Sequence, residues 1–452
     1  MLRLMKEKKH SRSLISSIAM AGVLAGASIY TPALLAADEE DGQRKPPPTR
    51  SSDTLSDRVY RAVEDIQALL SPEDGSEPKY AEAKEELDDL YERYDRMNNF
   101  EKSTILNFYT NYYLGIEDIN NALRIFEQIL TLEDLRVDSR LRSLMALGQL
   151  YMGEERYEES IDAYTRWREE SDEEHKNVFL GLANSHYNLE QYEQAIPFLI
   201  SHIDMLVAGG EEVRKNVYAL LNLMYIELED YNSALDVTKT MVTLFDEPSD
   251  WRNLAAIYGY LDDDAKRIET LGISFAKGYM ENEAEYLNLS QSLAGNDAPY
   301  TGAKVLEAGF EAGIVEQNED NLNKLVQMYM LAAEYEMALE PATRIAEMAE
   351  TGAGYDQLGY LYYLLNDYAS SADAIEKAIE RGGLDDLGDT QMMLARVLVE
   401  LDRYEEAAVA ARRGDELGAR SADTYIRFIE NSKTRYETLQ RRKQDAIDFY
   451  RS

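Results

Sequence analysis

Apolar residues recur at intervals of three and four from Leu55 onward, which is the spacing of one face of an amphipathic helix. The first run ends at Leu70, and a break with proline and glycine over residues 71–78 separates it from a second run that starts at Tyr80. Similar pairs of runs follow until about residue 420. Because the chain has only 10 prolines, little in it opposes helix formation. The pattern predicts an all-α chain of consecutive helix pairs.

A tyrosine followed three residues later by Ala or Ser marks the second run of many pairs. These tyrosines are Tyr157, Tyr192, Tyr231, Tyr335, Tyr368 and Tyr404. Their steps are 33 to 39 residues, apart from the interval between Tyr231 and Tyr335, which is close to three ordinary steps. Two divergent copies are therefore expected there, and residues 248–315 should be the least regular stretch. A period of about 34 residues is that of a helix–turn–helix repeat.

Two segments carry a fuller motif. Leu147-Gly148-Gln149-Leu150-Tyr151 and Leu358-Gly359-Tyr360-Leu361-Tyr362 place a small residue where two helices would approach most closely. With the tyrosine series, they resemble the tetratricopeptide-repeat family over residues 99–420. The resemblance implies a right-handed superhelical solenoid of about nine repeats that binds polypeptides. Arg267 and Gly302 fall near the small position in the two middle copies and depart from the family pattern.

The ends of the repeat region are predicted to differ from its middle. Residues 55–98 form a divergent N-terminal helical pair. Residues 421–452 form a C-terminal capping helix, with Tyr425, Ile426 and Ile429 on one face and a strongly polar stretch over Arg435 to Gln444. Such a helix suits a solenoid end, since one side covers the last repeat and the other meets solvent.

The first 37 residues have the layout of a secretory signal peptide, with a basic start, an apolar stretch over Leu14 to Ala27 and small residues before Ala37. Cleavage near Ala37 would export the chain to the periplasm. The alternative is an uncleaved anchor in the inner membrane, facing the periplasm. Residues 38–54 contain three consecutive prolines and almost no apolar side chains, so they are predicted to be a disordered linker.

Charge and cysteine content exclude several functions. The net charge is −38, and loss of residues 1–37, which carry five basic and one acidic side chain, would leave −42. Such a chain repels nucleic-acid phosphates and anionic lipids, so neither is an expected partner. The acidic charge is expected to serve solubility, as in a salty habitat; the alternative is recognition of a basic partner. With no cysteine and four histidines without metal-ligand spacing, no metal site is expected.

No catalytic motif is recognisable either. The glycines at 352, 354 and 359 do not make a dinucleotide fingerprint, and Asp262-Asp263-Asp264 lacks the alternation of a calcium loop. We therefore expect no cofactor and no enzymatic activity. An enzyme with a site hidden between repeats is the alternative from another functional class.

The first helix of each repeat should line a groove. Alignment of the repeats on their small positions predicts that this groove is rich in amides, tyrosine and arginine and poor in acids. Its predicted residues are Asn107, Asn111, Arg142, Gln149, Asn184, Tyr187, Asn216, Arg252, Gln291, Asn323, Tyr360 and Arg396. Amides both donate and accept hydrogen bonds, so they suit the backbone of an extended peptide. The prediction is a scaffold or adaptor for a protein or peptide; these side chains could otherwise simply be solvated.

A finer likeness concerns the partner. The segments Ala298 to Glu307 and Tyr425 to Ile429, in an exported acidic solenoid, resemble the periplasmic repeat proteins associated with TonB–ExbB–ExbD energy-transduction systems. The resemblance implies an accessory role in TonB-dependent transport, with those components as partners. An assembly factor for envelope polysaccharide or pili is the alternative.

Overall fold

The computed structural model describes residues 54–451, and within that range the regular structure is helical throughout, without a strand. The predicted all-α fold is confirmed. No helix in residues 54–451 is both long and apolar enough to cross a membrane. The predicted signal peptide, and the linker up to residue 53, lie outside the described residues.

The described residues divide into two compact units, residues 54–238 and residues 239–451. The helices that begin in the first unit are α1 (Asp57–Leu70), α2 (Tyr80–Tyr91), α3 (Asn99–Gly115), α4 (Ile119–Leu130), α5 (Val137–Gly153), α6 (Tyr157–Glu170), α7 (Lys176–Asn188), α8 (Tyr192–Ala208), α9 (Lys215–Glu227) and α10 (Tyr231–Leu244).

The second unit continues in the same style. Its helices are α11 (Pro248–Tyr260), α12 (Asp264–Ala276), α13 (Glu283–Gly295), α14 (Pro299–Glu311), α15 (Glu319–Leu331), α16 (Tyr335–Met348), α17 (Ala353–Leu364), α18 (Tyr368–Arg381), α19 (Leu387–Glu400), α20 (Tyr404–Glu416) and α21 (Ala422–Arg451). From α3 to α20 the helices form consecutive pairs, and α11/α12 and α13/α14 occupy the long interval in the tyrosine series.

The same tight turn joins the two helices of every pair from α3/α4 to α19/α20. Its key residue is left-handed, with φ between 55° and 60°. In the turn after α5, the N–H of Glu155 donates to the carbonyl of Met152 at 3.2 Å, and that of Arg156 donates to the carbonyl of Tyr151 at 2.8 Å. This is a Schellman ending, which satisfies carbonyls that the helix leaves unpaired. The turn residues are Glu117, Glu155, Glu190, Glu229, Asp262, Asp297, Ala333, Asn366 and Asp402.

The tyrosine series follows from this turn. Each tyrosine stands two residues after the turn residue and opens the second helix. In two pairs its ring contacts a tyrosine of the first helix. The ring centroids of Tyr187 and Tyr192 are 5.9 Å apart, and those of Tyr363 and Tyr368 are 5.8 Å apart. The Tyr368 hydroxyl also donates to the side chain of the turn residue Asn366 at 2.9 Å. Tyrosine therefore fixes the turn as well as the packing of the pair.

A small residue stands five positions after each turn residue, with one exception. The set is Ala122, Ser160, Ala195, Ala234, Arg267, Gly302, Ala338, Ser371 and Ala407, and all except Arg267 are buried. The Ser160 hydroxyl donates to the Gly148 carbonyl, and the Ser371 hydroxyl donates to the Gly359 carbonyl, both at 2.7 Å. The two helices of a pair therefore cross with backbone close to side chain, which larger residues would prevent.

The two middle pairs accommodate their departures differently. Gly302 lies so close to α13 that an added Cβ would come within 2.5 Å of the Ser290 carbonyl oxygen. Arg267 instead turns its guanidinium out of the crossing, where it bonds to Asp264 at 2.9 Å and to the amide oxygen of Asn288 at 2.8 Å. The arginine thus replaces a small-residue crossing by a link from α12 to the next pair.

A tyrosine ring sealed between glycines joins two consecutive pairs in the first unit. Tyr164 of α6 is 1% exposed. A Cβ added to Gly148 of α5 would lie 2.6 Å from this ring, and one added to Gly181 of α7 would lie 2.3 Å from it. Since real Cβ atoms do not approach so closely, both glycines are needed for the ring to occupy this position.

The last helix, α21, is 30 residues long and packs chiefly on α20, which has 13 residues. Ile429 is buried there, the Tyr436 ring lies 5.4 Å from that of Tyr404, and Lys433 pairs with Glu405 at 2.8 Å.

We expect G148A to destabilise the first unit by about 1–3 kcal/mol, because its methyl group overpacks against Tyr164. G153A is the matched control in the same helix, since nothing lies within 4 Å of its added Cβ. That change should be neutral or stabilise by up to about 1 kcal/mol, because alanine favours helix over glycine. Urea unfolding followed by Trp167 fluorescence in a W251F background measures both. Equal midpoints for the two variants would contradict the packing described for Tyr164.

Candidate functional site

The turn residue provides a common origin for comparing the first helices. Positions 13, 10, 6 and 3 residues before it lie on one side of each first helix, because these intervals of three and four match the helical period. We call this surface the first-helix face. Among the first helices of the repeats, α5 and α7 touch in the first unit, and α17 and α19 touch in the second.

All twelve residues predicted to line a groove fall on the first-helix face, and none is buried. Asn107, Asn111, Arg142, Gln149, Asn184, Tyr187 and Asn216 lie in the first unit. Arg252, Gln291, Asn323, Tyr360 and Arg396 lie in the second. Within each unit, the predicted residues therefore lie on the first-helix face. Whether that surface binds a partner remains a prediction.

In the first unit this face carries no acidic side chain. Its residues from α3, α5, α7 and α9 are Thr104, Asn107, Asn111, Leu114, Arg142, Met145, Gln149, Met152, Asn177, Leu180, Asn184, Tyr187, Asn216, Ala219, Leu223 and Ile226. The apolar members other than Ala219 are partly exposed, and Ala219 is exposed. In a chain with 85 acidic residues in 452, a face without one departs from the composition of its surroundings. It combines amides, which bond to backbone, with apolar side chains, which pack on side chains.

Arg142 and Tyr187 show that polar side chains of this face can still bond to a partner. Arg142 makes one bond, to the Ser139 hydroxyl at 3.1 Å. Burial, and then the negative charge of Glu227, raise the pKa of Tyr187 above its usual value, so the phenol stays protonated and able to donate at neutral pH.

The second unit presents a different face. Arg252 was predicted as a groove residue, but its guanidinium lies 2.9 Å from Glu281 and 2.5 Å from Glu285 of the next first helix. Glu285 is largely shielded, with 14% of its side chain exposed. Arg252 therefore links α11 to α13, and its charge is already balanced.

Several polar residues of this face were not among the twelve predicted ones, and two of them lie in the second unit on α15 and α17. Gln327 is exposed on α15 in phase with Gln291, and Asp356 is half-buried on α17 in phase with Asn323. Burial raises the pKa of Asp356 above its ordinary value of 3.8, and a hydrogen bond from Thr390 offsets only part of that effect. Counting back from the turn residue, rather than from the Leu-Gly motif, would have found both.

Within 54–451, no three His, Asp or Glu side chains are grouped so as to hold a metal ion. A cavity of about 220 Å³ lies at the turn between α6 and α7 and is lined by Arg168, Val178, Phe179 and residues 171–175. None of the predicted groove residues lines it.

Comparisons with known proteins give structural likenesses only. No family model matches the sequence, and no curated protein matches it. A tetratricopeptide-repeat protein from Parabacteroides merdae is 12% identical, with 57% of this chain and 98% of that chain covered and a TM-score of 0.28.

Two further solved structures are similar in the same limited sense. The C-terminal part of a repeat protein from Cytophaga hutchinsonii is 16% identical, covering 54% of this chain and 97% of that chain, with a TM-score of 0.34. A repeat domain of yeast Sti1, in complex with an HSP90 peptide, is 15% identical, covering 66% and 98%, with a TM-score of 0.23. The repeat length, the helical hairpins and the small-residue crossings themselves show an array of the tetratricopeptide type.

We expect D356N to stabilise the second unit at neutral pH, because it removes a carboxylate whose charged form burial disfavours. A folded-state pKa above 3.8 means that this cost is full at neutral pH, shrinks as pH falls through the folded pKa and is absent below 3.8. About 1 kcal/mol would raise the melting temperature of a unit of this size by about 2–4 °C. The control D373N removes the same charge from an exposed position. Thermal melting at pH 7 and near pH 4 compares them, and a gain from D356N that matches the control, or persists near pH 4, would refute the burial argument.

Proposed function

We propose that this protein is a non-enzymatic scaffold that holds an extended segment of a partner polypeptide on the first-helix face of its first unit. The observation that carries the proposal is the absence of acidic side chains from that face in a chain of net charge −38. Carboxylates are costly to bury against a neutral backbone, so a surface that binds one benefits from excluding them.

The residues present suit such a segment. Asn107, Asn111 and Asn216 are exposed, and Gln149 and Asn184 are partly so. Each can donate to a backbone carbonyl and accept from a backbone N–H at the same time. The partly exposed methionines and leucines beside them can take apolar side chains of the partner, and methionine adapts readily to different shapes.

The spacing of the helices sets the length of the bound segment. Packed helices are about 8–10 Å apart, and an extended chain rises about 3.3 Å per residue, so each first helix can serve about three partner residues. The four first helices α3, α5, α7 and α9 would accommodate about ten residues. The favoured partner is an extended, largely uncharged segment with apolar side chains.

Location and partner identity form the second part of the proposal. The signal-like residues 1–37 support export to the periplasm, and the likeness in residues 298–307 and 425–429 supports an accessory role in TonB-dependent transport. Both rest on sequence alone.

Export is tested by fusing residues 1–60 to alkaline phosphatase, which is active only after transfer out of the bacterial cytoplasm. We expect an active fusion and processing near Ala37 by N-terminal sequencing of the full chain. An inactive fusion would refute export. Active but unprocessed protein would instead support the inner-membrane anchor.

We expect a triple variant of the face, N111A/R142A/N184A, to weaken peptide binding about tenfold or more, because two or three hydrogen bonds of about 0.5–1.5 kcal/mol each are lost. The matched control is N120A/R124A/N232A, which changes the same residue types at exposed positions of second helices. Fluorescence polarisation with libraries of ten-residue neutral, acidic and basic peptides measures the effect.

Neutral apolar peptides should bind best, and the control should stay within about twofold of the parent. Circular dichroism should show both triple variants folded. An equal loss of peptide affinity in the two triple variants would contradict the assignment of the binding site to the first-helix face. So would tightest binding by basic peptides that the N111A/R142A/N184A change does not weaken.

A further inference from the structure

The last helix extends well past the repeat that it covers. Its ion pair and ring contact with α20 are made at Lys433 and Tyr436. The 15 residues from 437 to 451 continue as helix for about 22 Å. We call this part, residues 437–451, the extension.

The face of α21 that packs on α20 continues along the extension. Tyr425, Ile429 and Tyr436 make that face, and further steps of three and four residues lead to Leu439, Lys443, Ala446 and Tyr450. At about 100° per residue, all seven fall within a sector of roughly 100°. Leu439 is 54% exposed and Tyr450 is 87% exposed. The same stripe that is covered by α20 in the first half of the helix is thus open to solvent in the second half.

The charge of the extension also differs from that of the chain. It carries Arg441, Arg442, Lys443 and Arg451 against Glu437, Asp445 and Asp448, a net charge of +1, whereas the whole chain carries −38. Two copies of so acidic a protein repel each other, and a segment without net negative charge is where that repulsion is weakest. The same net charge of −38 disfavours an anionic membrane as the occupant.

We propose that the extension is a self-association surface, on which two copies of this chain pair as antiparallel helices. The repeat of the stripe defines a register in which Lys443 faces Ala446 of the partner subunit and Leu439 faces Tyr450 of the partner subunit. Two-fold symmetry makes each of these contacts twice, as an isologous dimer requires.

This register is favoured over a parallel one by charge and by size. A parallel pairing would set Lys443 against Lys443 of the partner subunit and would align the two basic clusters. The antiparallel pairing gives each lysine stem a small alanine to pack against and leads the two repeat arrays away in opposite directions. A paired length of about 20 Å buries less area than a standard interface, which covers about 800 Å² per partner. The dimer should therefore be weak, with a dissociation constant on the order of micromolar or weaker.

The natural absence of cysteine makes the register directly testable. We expect a mixture of full-length K443C and A446C proteins to form a covalent heterodimer on mild oxidation at least about tenfold faster than a mixture of R441C and D448C. The control positions lie on the opposite side of the same helix, so their thiols point away from the paired stripe. Equal rates for the two mixtures would overturn the proposal.

Sedimentation velocity tests the same surface without a crosslink. The parent protein should become increasingly dimeric with concentration. L439D should remain monomeric with an unchanged melting curve, since Leu439 is 54% exposed and follows Lys433 and Tyr436, which hold α21 on α20. A parent that stays monomeric, or that floats as a monomer with anionic phosphatidylglycerol vesicles, would also overturn the proposal. The N111A/R142A/N184A variant should crosslink through K443C and A446C as the parent does. The test of self-association is therefore independent of the test of peptide binding.

Discussion

The close crossing of the two helices in each pair is the constraint on which the rest of the structure depends. It requires a small residue at one position of the second helix and a turn that delivers this residue at a fixed distance after the first helix ends. The Schellman turn supplies that distance, since in every pair except α11/α12, where Arg267 stands, a small residue lies five positions after the left-handed residue. Side-chain hydroxyls at Ser160 and Ser371 then bond directly to the first-helix backbone, which glycine at 148 and 359 leaves accessible.

This constraint also places the candidate binding surface. If packing fixes one side of each first helix, the residues on another side are fixed in phase from repeat to repeat. Side chains at 13, 10, 6 and 3 residues before the turn can therefore form a regular surface without any contact among themselves. That is why an acid-free strip can arise in the first unit while the surrounding surface remains strongly acidic, and why Arg252 in the second unit can reach Glu285 on the neighbouring first helix.

The fold could be predicted from sequence because its determinants are local and repeated. Tyrosine at the start of the second helix and the small residue three positions later both serve one turn and one crossing, so the same letters recur with the period of the repeat. The site was less accessible to sequence reasoning. Alignment on the Leu-Gly motif found Asn323 and Tyr360 but missed Gln327, because the motif is absent from that repeat while the turn persists. It also missed Asp356, although that repeat carries the motif, because only Tyr360 was taken from that helix. The pairing of Arg252 with Glu281 and Glu285 depends on how neighbouring repeats pack, which no periodicity in one helix reveals.

The apolar face of the last helix is longer than the packing of the repeats requires. A helix that only caps an array needs one apolar face as long as the helix it covers, and α20 has 13 residues. The polar stretch from Arg435 to Gln444 suggests from sequence that the apolar face ends there, but Leu439 interrupts that stretch on the packing side, and Ala446 and Tyr450 extend the side further. A solvent-exposed Tyr450 in phase with a buried Ile429 adds nothing to the cover of the array. The periodicity of the extension therefore fits packing against a second helix beyond the end of α20, as the proposed pairing of two copies would provide.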